Sequence, residues 1–107
     1  MDQDITVVSS NDIEGKPVIE YLGIVSGSIV KSRNAGSDMF ASLKSIVGGE
    51  LMGYSKLLQG ARDDAYSRMV DDANSKGANA IIGFRFQTST ITAGASEVVA
   101  YGTAVKV

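Results

Sequence analysis

The groups in this chain able to carry chemistry are carboxylates, hydroxyls, tyrosines and one glycine cluster. None of its 107 residues is His or Cys. Thiolate nucleophiles, Ser-His pairs, zinc fingers and iron–sulfur clusters are therefore excluded. Glu20 stands out among the acids because it interrupts an apolar run from Val18 to Val30. A carboxylate buried there needs a partner or a shifted pKa, and one facing solvent or a neighbouring subunit needs neither. The outward orientation is the expected one. Asp63-Asp64 and Asp71-Asp72 share an outer helical face with Arg62 and Arg68, so they read as a solvated, ion-paired surface and not as a chelate. Asp38 suits the first turn of a helix, whose end carries partial positive charge. Gly48-Gly49-Glu50-Leu51-Met52-Gly53 lacks the preceding strand and the following Lys-Ser/Thr of a phosphate loop, and reads as a helix stop and reversal. Arg85 lies between Phe84 and Phe86, but it is isolated in a chain with 12 acidic and 10 basic side chains. That balance argues against a nucleic-acid partner.

The positioning elements follow from residue periodicity. Ile5–Val8 is a short β-rich run, and Val18–Val30 reads as a long strand bent at Gly23 or Gly27. Ser37 caps a short helix carrying Met39, Phe40, Leu43, Ile46 and Val47, which Gly48-Gly49 stops. Tyr54, Leu58, Ala61, Ala65, Met69 and Ala73 form one apolar stripe, which predicts a long helix from Ser55 to Lys76 closed by Gly77. Ala80–Phe86 and Val98–Val107 read as two strands joined by a long, loose connection, Thr88–Ser96. The last strand has a bare face, Val98, Ala100, Gly102 and Ala104, and a bulky one, Val99, Tyr101, Thr103, Val105 and Val107. The long helix is expected across the bare face. The bulky face then needs a cover, which points to oligomerisation.

These elements predict a single α+β domain over residues 1–107, an antiparallel sheet backed by one long and one short helix. No apolar run approaches the ~18 residues of a membrane span, and the acidic start is unlike a signal peptide. The expected compartment is the cytoplasm.

Seven phrases stand in order along the chain: Ile13-Glu14-Gly15, Glu20 to Gly27, Asp38-Met39-Phe40-Ala41, Ile46-Val47-Gly48-Gly49, Ala61-Arg62, Gly77 to Gly83, and Gly102-Thr103-Ala104-Val105. As an ordered set they resemble the YbjQ-like family. The match runs from about Ile13 to Val107. The resemblance implies a bacterial or archaeal protein of unestablished function, often labelled heavy-metal-binding. It also implies a dodecin-like β-α-β-β unit assembled as a ring-shaped homopentamer. Two arginines usual in the family are replaced here by Ser37 and Glu50, so an anion contact made by them is not reproduced.

The expected function is thus a non-enzymatic, homo-oligomeric binding protein whose partner is itself, with a metal ion or small ligand as a further one. Soft metals prefer thiolate and imidazole, which this chain lacks. A hard-cation site of carboxylates gathered at a subunit interface or ring axis is the alternative, with Glu20, Asp38 and Glu50 as candidate ligands. A third reading is an acid–base enzyme using Glu20 with Tyr21 or Tyr54. No cofactor and no catalytic residue is assigned.

Overall fold

The computed structural model describes residues 4–32 and 52–107, and side chains of the long helix from Ser55 onward. The short helix expected after Ser37, and with it Asp38 and Glu50, lies outside the described residues. The order is β1 (Thr6–Val7), β2 (Glu20–Ser32), α1 (Met52–Ser75), β3 (Ala80–Thr92) and β4 (Ala95–Lys106). One sheet in the order β1-β3-β4-β2 carries α1 on one face.

The expected α+β class is present, with two differences. β1 pairs with β3 in parallel, so the sheet is mixed. The expected loose connection over Thr88–Ser96 is mostly strand, because β3 and β4 run on to a tight turn at Ala93-Gly94. Gly94 supplies the positive φ of 81° that the reversal requires. Polar Thr and Ser suggested a loop, but β-branched Thr suits an exposed strand equally well.

α1 buries Ala61, Ala65, Met69 and Ala73 against Val25, Val98, Ala100 and Ala104 of the sheet. This is the predicted stripe on the predicted bare face. Its closest approach is at Gly27, where an added Cβ would meet the backbone of Ala65 and Met69 and lie 2.6 Å from Arg68 Cβ. The bend falls at Gly23 instead, beside a register shift between Tyr21 and Gly23, with φ of 103°. α1 ends in a Schellman motif. The Ala78 amide donates to the Ala73 carbonyl at 3.1 Å, the Gly77 amide to Asn74 at 3.0 Å, and Gly77 has φ of 80°.

No described residue lies within 4 Å of where a Cβ at Gly60 would sit. No packing contact among the described residues requires a glycine there, so Gly60→Ala is expected to stabilise the protein by about 0.8–1 kcal/mol through helix propensity. A rise in thermal midpoint checks this; a fall would reveal a contact at that position.

The expectation for the bulky face needs correction. Val105 is fully buried by this chain's own N-terminal segment. Val8, Ile13 and Val18, together with Val107, pack against Ala80, Ile82 and Val105. Farther along, Tyr101 and Val99 are flanked across the sheet by Arg85 with Ser26 and by Gln87 with Ser28. These neighbours are polar and both residues are only half-exposed, while Ile24 and Val30 of β2 lie exposed on the same face toward the sheet's edge. Antiparallel sheets commonly present such a face to water.

Candidate functional site

Glu20 lies at the start of β2 opposite Lys106, exposed, with its carboxylate 3.9 Å from the Lys106 ammonium. The outward reading holds. Tyr21 pairs with Val105, and adjacent strand residues project to opposite faces, so Glu20 and Tyr21 do not converge. Among the described residues no group of three or more Asp or Glu is placed to hold a metal ion. A concavity of about 390 Å³ lies near β1, lined by Asp4, Thr6, Lys16, Pro17, Asn79 and Val107 among others. Its two charged side chains have opposite sign and do not form a cation site.

The most distinctive polar arrangement lies along β2. This strand is at the sheet's edge, and α1 reaches it with side chains that were expected only to face solvent. Asp72 Oδ2 accepts the Ser26 amide at 3.2 Å, and its Oδ1 accepts Lys76 Nζ at 2.9 Å. Arg68 donates to the Ser28 carbonyl at 2.7 Å, and Lys31 lies 3.5 Å from Asp64. Arg68 thus serves the sheet instead of a helical carboxylate. At the other side, Arg85 donates to the Ser9 carbonyl at 2.9 Å and ties the N-terminal segment to β3. Asn79 exchanges two hydrogen bonds with the Val107 backbone, at 2.9 and 3.1 Å. Nothing in the spacing of Arg68, Asp72 or Asn79 marked these roles, because each depends on an element distant in the chain.

The Lys76 ammonium, helped by the Ser26 amide, holds the Asp72 carboxyl below the usual carboxylate range, while burial opposes this. A depressed folded pKa gives stabilisation that is present at neutral pH and lost as pH falls through that value. Asp72→Asn is expected to lower stability by no more than about 1 kcal/mol at neutral pH, since the pair is partly exposed. The gap to wild type should close in strong acid. Urea titrations in the two conditions check it, and a gap independent of pH would contradict the assignment.

Ile19, Tyr21, Ile24 and Val30 are 77%, 69%, 76% and 55% exposed. All four lie on β2 or immediately before it. Apolar exposure is normal when scattered, but here it is concentrated along an edge strand, where natural proteins usually place protection.

These features define a small helix-backed sheet with an apolar open edge and no assembled catalytic centre among the described residues. The chain belongs to the YbjQ-like family: that family's model, described as "Putative heavy-metal-binding", matches residues 5–107. A UPF0145 protein of Vibrio parahaemolyticus is 52% identical over 98 residues, covering 92% of this chain and 93% of that protein. A UPF0145 protein of the archaeon Methanosarcina acetivorans is 46% identical over 101 residues, covering 94% and 95%. A crystal structure of a protein of unknown function from Pediococcus pentosaceus, in the DUF74 family, is similar with a TM-score of 0.60. It covers 96% of this chain and 97% of that one at 14% identity, a likeness of fold alone. None of these is named as an enzyme.

Proposed function

We propose that this chain is a subunit of a homo-oligomeric, non-enzymatic binding protein, a single domain working in the cytoplasm. The observation that supports it is the exposed apolar row on β2, Ile19, Tyr21, Ile24 and Val30. A five-fold ring, as the family resemblance implies, gives that row a cover. No Cys or His is available for a soft heavy metal, so the ligand set favours hard cations. Glu20, Asp38 and Glu50 are the carboxylates that symmetry could gather, and each alone is too few. No helix of the described residues is long and apolar enough to cross a membrane.

Light scattering coupled to size exclusion tests the assembly, and calorimetric titration with Ca²⁺, Mg²⁺, Zn²⁺ and Cu²⁺ tests the ligand. The expected result is an oligomer at micromolar concentration that binds zinc and copper weakly and loses any calcium or magnesium binding in Glu20→Gln or Glu50→Gln. A stable monomer overturns the assembly, and tight copper or zinc binding overturns the ligand argument.

A further inference from the structure

Among the described residues, both outer edges of the sheet carry backbone groups without a strand partner. On β2, the Ser26 amide and the Ser28 carbonyl are bonded to α1 side chains, so even-numbered residues direct their backbone groups away from β4. The register is regular from Gly23 to Ser32, which places the amides and carbonyls of Ile24 and Val30 in the same outward row. Asp72 and Arg68 occupy two groups of that row; no described residue pairs with those of Ile24 or Val30.

On the opposite side, β1 and the segment after it pair with β3 only as far as Phe84. Beyond it β3 continues to Thr92 without a described neighbour on that side. Gly102, Ala100 and Val98 face β2, so Tyr101 and Val99 bond to Arg85 and Gln87 in the alternation of an antiparallel ladder. Phe86 and Thr88 therefore direct their backbone groups outward. The same phase is visible lower on β3, where the Ile81 carbonyl accepts the Val8 amide at 2.9 Å.

β2 and β3 are both antiparallel to β4, so they run in the same direction. In a parallel ladder the residues pointing at the partner strand carry side chains on opposite faces in the two strands. That condition is met: Ile24, Ser26, Ser28 and Val30 carry theirs on the face away from α1, and Phe86 and Thr88 on the α1 face. From this we infer that β2 of one copy adds in parallel to the Phe86–Thr92 stretch of β3 in the next copy. The helices then stay on one side of a continuous sheet. The partner is a second copy because both complementary edges are present in each chain. This deepens the oligomer reading and rests on it. The contact is head-to-tail, so repetition closes a ring where the rotation permits.

Proline removes an outward amide on an edge strand without breaking an internal ladder bond. Val30→Pro disables the β2 edge, and Thr88→Pro the β3 edge. Each variant is expected to fall from the wild-type mass to a monomer by light scattering, with unchanged far-ultraviolet circular dichroism. Mixed in equal amounts at high concentration, they should form a one-to-one dimer and nothing larger, since each retains the edge the other lacks. Should a proline unfold the chain, Val30→Lys or Thr88→Lys replaces it with the same expected loss of mass. An oligomeric wild type whose mass survives both variants, or a mixture that stays monomeric, overturns the edge pairing. A monomeric wild type instead removes the oligomer reading itself.

Discussion

Gly27→Ala is expected to destabilise the protein by about 3 kcal/mol or more, because the new methyl group meets helix backbone and not a side chain that can turn aside. Ala65 and Met69 contribute those backbone atoms, and both residues are fully buried in the core beneath α1. Relief requires the whole helix to lift from β2, which opens the contact with Val25 and Ala100 as well. Lifting α1 also separates Asp72 from the Ser26 amide and Arg68 from the Ser28 carbonyl. Against a typical total of 5–15 kcal/mol such a loss is large. The urea midpoint measures it. Near-wild-type stability in Gly27→Ala would mean that α1 does not sit this close to the strand.

The second large effect concerns the sheet face away from α1. Removing residues 1–13 takes Val8 and Ile13 from their packing over Ala80, Ile82 and Val105 and removes β1. At about 1.5–3 kcal/mol for each large aliphatic side chain fully buried, the loss comes to about 3–6 kcal/mol as an upper range, since both are only partly buried. Arg85 also loses its Ser9 acceptor. The truncated chain should bind a hydrophobic dye and unfold at much lower denaturant. An unchanged midpoint would mean that this face is covered by something other than the N-terminal segment.

The two effects separate what was legible from what was not. The stripe Leu58, Ala61, Ala65, Met69 and Ala73, and the small residues of β4 that it meets, were readable because helix and strand periods are local properties. The outward orientation of Glu20 was readable from the cost of burying an unpaired carboxylate. The cover of Val105 was not, because Val8, Ile13 and Val18 are far from it in sequence and no local period links them to it. Arg68 and Asp72 looked like surface charges for the same reason, and their acceptor and donor are backbone atoms, which leave no trace in residue identity.

The absence of cysteine and histidine, the α+β class, the long amphipathic helix and its small-residue seat were determined by the sequence alone. All of these depend on composition or on repeats within one segment. Only the tertiary structure decided that β1 joins β3 in parallel, that α1 side chains hold the edge of β2, and that the exposed aliphatic residues collect along that edge. Those are relations between segments 40 or more residues apart, such as Ser26 with Asp72 and Ser28 with Arg68. They arise when the chain closes its core and chooses which backbone groups meet, a choice no single stretch of residues makes.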